Sequence, residues 1–144
     1  MPTAQRDEQS GPFFDSLAAG RLSVLRCQDC AEWTAPSGFY ANPHPAIRCP
    51  SCGSGRIVWT PTQGTGRVVT WTTDPKFPSV FNGTPGQTSG VVELTEGPWV
   101  TAALDVPKMD LAEGLPVVFE SVVPPAGGEP VPAFRVATTT GKST

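Results

Sequence analysis

The segment CQDCAEWTAPSGFYANPHPAIRCPSC, from Cys27 to Cys52, decides the fold. It holds all 4 cysteines of the chain as two Cys-x-x-Cys pairs, Cys27/Cys30 and Cys49/Cys52, with 18 residues between the pairs. That matches the spacing of a two-knuckle metal ribbon. Each knuckle is a tight turn that brings two thiolates onto one ion and aims backbone N–H groups at the sulfurs. Two knuckles complete a tetrahedron. Cys27, Cys30, Cys49 and Cys52 are therefore the expected ligands of a structural Zn2+. Four thiolates leave no open position, so such an ion activates no water. Iron is the rival metal, because Cys49-Pro50-Ser51-Cys52-Gly53 is also a rubredoxin-like knuckle. Two Cys-x-x-Cys disulfides are the remaining alternative. The polar first ten residues contain no apolar h-region, so the expected compartment is the cytoplasm, where thiols stay reduced.

Upstream of the knuckles, Phe13 to Ala19 reads as a short helix. Phe13, Phe14 and Leu17 share one face, and Gly20 is the stop. Leu22, Val24 and Leu25 continue as an extended stretch, and Ile57-Val58-Trp59 is a strand leading out of the ribbon. Downstream the texture becomes β-branched. Strands are expected at Arg67–Thr73, Val91–Thr95, Trp99–Val106, Val117–Val123 and Ala133–Ala137. Glu96-Gly97-Pro98 is a tight hairpin connection. Asp74 to Gly90, with Pro75, Pro78, Gly83, Pro85 and Gly86, reads as a long loop, and loops of that length are often functional. Five such strands fit a small closed barrel of the OB type, with at most one helical turn at Asp110–Gly114. The expected organisation is a tail and short helix (1–20), a zinc ribbon (21–60), an OB-fold barrel (61–138) and a flexible tail (139–144). The fold class is thus mainly β.

Composition narrows the function. With 17 Pro and 15 Gly in 144 residues, against an ordinary usage of about 12%, the chain is not mostly helical. No apolar run approaches the ~18 residues of a membrane span. The ribbon has 4 basic residues (Arg21, Arg26, Arg48, Arg56) and 2 acidic ones (Asp29, Glu32), a net +2 that balances a four-thiolate zinc centre. Residues 62–144 carry 5 basic and 8 acidic side chains, a net of −3. That makes nucleic acid an unlikely partner, since phosphate binding needs clustered Lys and Arg. Trp71 and Trp99 can be read as base-stacking platforms, but packing in the core or a hairpin is the preferred reading. The single His, His44, is read as an exposed loop residue or a partner contact. With every cysteine committed to metal, no catalytic residue is assigned.

The order of features resembles the zinc-ribbon plus OB-fold proteins known as domain of unknown function 35. The residues that carry the resemblance run from about Phe13 to Ala137. They are Phe13-Phe14, Gly20-Arg21-Leu22, the two knuckles, Gly64-Thr65-Gly66-Arg67-Val68 with Trp71-Thr72, Val92-Glu93-Leu94-Thr95-Glu96-Gly97, Gly114 with Val117, and Pro132-Ala133-Phe134. Three positions depart from the pattern: Ala31 where Gly is common, Phe14 where Trp is usual, and no Tyr after Pro85. The first two are read as affecting packing, the third as weakening any assignment of loop contacts.

The resemblance implies an accessory role. Such proteins associate with thiolase-fold enzymes, including thiolases and the lipid-transfer-type aldolases of steroid side-chain degradation. The partner carries the nucleophile and bases. The ribbon/OB subunit is implied to contact CoA and stabilise the partner, and not to be catalytic alone. The implied complex has two accessory chains on a thiolase-fold dimer. Retro-aldol cleavage of a 3-hydroxy-acyl-CoA in lipid metabolism is the preferred reaction, with thiolytic cleavage next. Candidate contacts to CoA or partner are Arg67, Trp71, Lys76, Phe77 and Phe81; the plain alternatives are solvated charges and a loop's own apolar staple. The alternative function is a single-stranded nucleic-acid-binding OB-fold module.

Overall fold

The computed structural model describes residues 10–36, 45, 48–125 and 127–137. His44, most of the N-terminal tail and residues 139–144 lie outside that range.

Helix α1 spans Gly11–Ala18, with Pro12 in its first turn, where a missing N–H costs nothing. It ends where the Gly20 N–H reaches Leu17 O (2.9 Å) and Arg21 N–H reaches Ser16 O (2.9 Å). Phe13, Phe14 and Leu17 are all buried, as their spacing requires. Each such side chain contributes about 2 kcal/mol through area removed from water. Phe13 meets Trp59 at a ring separation of 5.6 Å, so the aromatic pair docks within the chain.

Three short strands form the ribbon sheet: β1 (Ser23–Cys27), β2 (Trp33–Thr34) and β3 (Ile57–Pro61). The order is β2-β1-β3, antiparallel throughout. The two-residue β2 has no periodicity for a sequence reading to find. Arg26 covers it, with its guanidinium 4.9 Å from the Trp33 ring centre.

Five strands then close a barrel: β4 (Thr65–Pro78), β5 (Pro85–Leu94), β6 (Trp99–Asp105), β7 (Pro116–Val122) and β8 (Val131–Val136). The order around it is β4-β5-β6-β8-β7, with β7 returning to β4. Only the β6–β8 pair is parallel. This is the OB arrangement. A single 3-10 turn, Lys108–Asp110, stands slightly ahead of the expected Asp110–Gly114 position. One apolar core runs from Phe14 and Leu17 through Leu22 and Val24 to Val92, Leu104 and Phe134, so helix, ribbon and barrel share it.

The expected long loop at 74–90 is not a loop. β4 and β5 extend through it as a two-stranded arm, and only residues 79–84 turn. The prolines fit because the arm has a neighbour on one side only. β6 pairs with β5 from Ser89 onward, and β7 pairs with β4 only at Thr65–Arg67. A proline whose missing N–H faces away from the ladder costs no hydrogen bond. The tip is ordered by its own bonds, Ser79 N–H to Thr84 O (2.7 Å) and Val80 N–H to Gln87 Oε1 (2.8 Å). Val80 is buried in the common core.

Candidate metal centre and outer-face groove

The two knuckles are built alike. In the first, the Ala31 N–H returns to Cys27 O (3.0 Å), and in the second, the Gly53 N–H returns to Cys49 O (2.8 Å). Both turns end on a left-handed residue, Ala31 at φ 65° and Gly53 at φ 77°. Asp29 and Cys30 point their N–H groups at Cys27 Sγ, at 3.4 and 3.5 Å. Outside the sulfurs, Asp29 accepts from the Ser54 hydroxyl and faces Arg56 (3.5 Å), so the knuckles are tied to each other.

Across the knuckles, Cys27 Sγ lies 3.6 Å from Cys52 Sγ, and Cys30 Sγ lies 3.6 Å from Cys49 Sγ. All four sulfurs fall within 4.8 Å of one another. A tetrahedron with Zn–S bonds of about 2.3 Å has S···S edges of about 3.8 Å. The donor set and spacing therefore suit a tetrahedral thiolate-binding metal ion. All four thiols are free, and the 3.6 Å sulfur pairs run between the knuckles, an arrangement that suits one shared ion better than a disulfide within each knuckle. Cys27 and Cys49 are buried, whereas Cys30 and Cys52 are exposed.

The thiols differ electrostatically. The Cys30 N–H lowers the Cys27 thiol to about 6, against desolvation and with help from the Asp29 N–H and the sulfurs of Cys52 and Cys30. For Cys30, the Glu32 N–H pulls downward, but desolvation and the other three sulfurs carry the thiol up to about 12. Cys52 is also raised, despite the Ser54 N–H, with Cys27 its largest opposing neighbour. Left to themselves, four clustered thiols do not all ionise. A bound cation reverses that order and deprotonates its ligands.

Ala31 corrects one reading. Its departure from the common Gly is a matter of backbone, because a non-glycine residue in the left-handed region carries strain. Ala31→Gly is expected to stabilise the metal-loaded protein by about 1 kcal/mol in denaturant unfolding, partly offset by glycine's greater chain entropy.

The second feature is a groove of about 450 Å3 on the outer face of β4, β5 and β6. Register builds it. Thr70 pairs with Val91, which pairs with Thr101, and Thr72 pairs with Ser89 two residues along. Trp71, Asp74, Phe77, Gln87 and Gly90 complete the lining. Of the sequence candidates, the structure brings Trp71 and Phe77 together here. It does not bring the others. Arg67 sits on a separate surface row, 3.4 Å from Glu93, whose other oxygen faces Trp99 Nε1 at 3.5 Å. Lys76 is solvent-exposed on the arm, and Phe81 packs on the common core. The groove's hydroxyl-bearing lining, Thr70, Thr72, Ser89 and Thr101, carried no sequence signal, since strand threonines and serines are ordinary.

Of the preferred reading of the tryptophans as core or hairpin packing residues, the core placement is corrected. Trp99 is 57% exposed and Trp71 37% exposed. Trp71 stands across from Gly90, which has no side chain to cover it, and Trp99 opens β6 opposite Glu93. Among the described residues, no Lys or Arg lines the groove. The turn that tips the arm also approaches the β7–β8 connection, where a Cβ on Gly83 would touch Pro125. In OB folds these two loops flank the oligonucleotide face.

With this geometry in place, comparison with known proteins is direct. Residues 59–120 match the family described as "ChsH2, C-terminal OB-fold domain". The barrel is thus similar to this OB-fold family over most of its strands. A "DUF35 domain-containing scaffold protein" of Pyrococcus furiosus is 40% identical over 70 residues, 48% of this chain and 52% of the relative. The matched region thus spans about half the length of that curated relative. A chain of the solved "Ltp2-ChsH2(DUF35) aldolase" superposes with a TM-score of 0.72 at 26% identity, covering 91% of this chain and 96% of that one. The likeness to that chain therefore includes the ribbon as well as the barrel. None of the described helices is long and apolar enough to cross a membrane.

Proposed function

We propose that this protein is a non-catalytic, metal-carrying OB-fold subunit of a thiolase-fold enzyme that makes or breaks C–C bonds in acyl-CoA. The observation that carries the reading is the likeness, over 91% of the chain, to a chain of the Ltp2-ChsH2(DUF35) aldolase. Zn2+ is the metal of choice, held by Cys27, Cys30, Cys49 and Cys52. Such an ion fixes the two knuckles and supplies folding free energy rather than chemistry. The preferred complex is two plus two, and the preferred reaction is retro-aldol cleavage of a 3-hydroxy-acyl-CoA, as in sterol side-chain breakdown.

Within that reading, Trp71 and Phe77 are the contacts for the partner or for the neutral arm of CoA. A groove whose described lining holds no Lys or Arg suits an uncharged, partly apolar occupant. The phosphates then belong elsewhere, with Lys76 and Arg67 as the nearby candidates.

A tagged pull-down from native lysate, with mass spectrometry of what co-purifies, tests the proposal. The expected result is a thiolase-fold protein in stoichiometric amount, whose presence is required for turnover of an acyl-CoA. Recovery of the chain alone, or turnover by the isolated chain, would sink it. Tight, salt-sensitive capture of single-stranded DNA or RNA would transfer support to the nucleic-acid module.

A further inference from the structure

The motif Val92-Glu93-Leu94-Thr95-Glu96-Gly97 is only partly explained by the barrel. Val92 and Leu94 fill the core, and Glu93 joins the surface row with Arg67. Glu96 does neither. It sits in the β5–β6 turn, and its Oε2 accepts the Gln63 N–H at 2.9 Å. Gln63 is the middle residue of the three that join β3 of the ribbon to β4 of the barrel.

This linker is held from both sides. On the ribbon side, the Thr62 N–H and hydroxyl both donate to Leu22 O, at 2.8 and 2.9 Å. On the barrel side, the Phe119 N–H donates to Gly64 O (2.7 Å) and the Thr95 N–H to Thr65 O (2.9 Å). The Gly64 N–H is taken by the Thr62 hydroxyl (3.3 Å). The Gln63 N–H completes the set, and Glu96 is its acceptor. Bonds to a charged acceptor are about twice as strong as neutral ones. The carboxylate is half-buried, and its other oxygen, Oε1, is enclosed with no hydrogen-bond partner among the described residues. A turn residue free to point at solvent does not meet that desolvation cost.

We infer that Glu96 is a positioning residue whose carboxylate clasps the linker and sets the angle at which the ribbon stands on the barrel. A partner that touches both units then meets one fixed surface; this last clause rests on the subunit reading above. Helix α1, which packs on β1, β3 and β8, supplies the apolar half of the same joint.

The test uses the full, metal-loaded chain as Glu96→Ala and Glu96→Gln. Amide exchange at Gln63 and residual dipolar couplings from ribbon and barrel are measured. The Ala variant is expected to exchange at least about ten-fold faster at Gln63. Its ribbon couplings should no longer fit the barrel's alignment tensor, although its metal content stays at the wild-type value. The Gln variant keeps a carbonyl acceptor and should stay within about two-fold of wild type. Unchanged exchange at Gln63 together with a single tensor in the Ala variant overturns the clasp. Pull-downs separate the two ideas. Weaker partner recovery by the Ala variant supports the fixed-surface clause, and wild-type recovery from a reoriented ribbon removes it. A wild-type chain that captures no partner defeats the subunit reading, while the couplings still decide the clasp.

Discussion

Cys49→Ser is expected to abolish stoichiometric metal binding and unfold the ribbon. Cys49 is buried, and its sulfur is 3.6 Å from that of Cys30 in the opposite knuckle. A hydroxyl cannot replace a thiolate in a closed four-sulfur site. Apparent zinc binding free energies in small ribbons reach about 10–16 kcal/mol, and this energy is part of their folding. Losing one ligand forfeits much of it. Without the ion, nothing holds the remaining thiols of the two knuckles together. Metal analysis should fall from one ion per chain to less than about a tenth. Tryptophan fluorescence should report the same event, because Trp33 is in β2 and Trp59 is in β3. The damage should reach α1, since Phe13 packs on Trp59. The closed hydrogen-bonded barrel should outlast the ribbon. A variant that kept both its ion and its ribbon fold would force the four-thiolate assignment to be abandoned.

The contrast between what the sequence reveals and what it hides has physical causes. The knuckles are legible because thiolate chemistry demands fixed residue types at fixed spacing, and the two turns repeat the same backbone device. Helix α1 is legible because Phe13, Phe14 and Leu17 obey one period. The arm at 74–90 is not legible, because its prolines and glycines carry a loop signature. Only the absence of a second neighbouring strand makes Pro75, Pro78 and Pro85 harmless, and that is a property of the sheet. The tryptophans fail for a related reason. A register break between Val68 and Thr70 shifts the alternation along β4. Trp71 is then left across from Gly90, which no composition argument foresees. The groove is the extreme case: half of its lining is ordinary strand Thr, Ser and Val from three strands, brought together by register. Ala31 shows the converse. Its residue type is plain in the sequence, but the left-handed turn that gives it meaning belongs to the fold.

Gly66→Ala is expected to destabilise the barrel by about 3 kcal/mol, at the upper end for overpacking. The Gly64-Thr65-Gly66 motif holds two glycines for different reasons. Gly64 lies at φ 78°, a conformation that side chains rarely adopt. Gly66 has no such dihedral; its constraint is space. It sits where β4 pairs with β5 through Leu94 and with β7 through Val117. A strand that serves both neighbours must coil tightly, and glycine marks such barrel corners. A Cβ at residue 66 would collide with the Glu93 carbonyl oxygen and with Val92 Cγ1. The carbonyl is backbone and Val92 is fully buried, so neither can swing away. Relief would require β4 to separate from β5 near the point of closure. Gly55→Ala is the control, because nothing lies within 4 Å of a Cβ there and its dihedral is ordinary. Denaturant unfolding of both variants should therefore separate by several-fold in effect, with Gly55→Ala within about 0.5 kcal/mol of wild type. Equal, small effects at both positions would mean that β4 can relax at the corner, and the Gly-x-Gly signature would then owe its form to Gly64 alone.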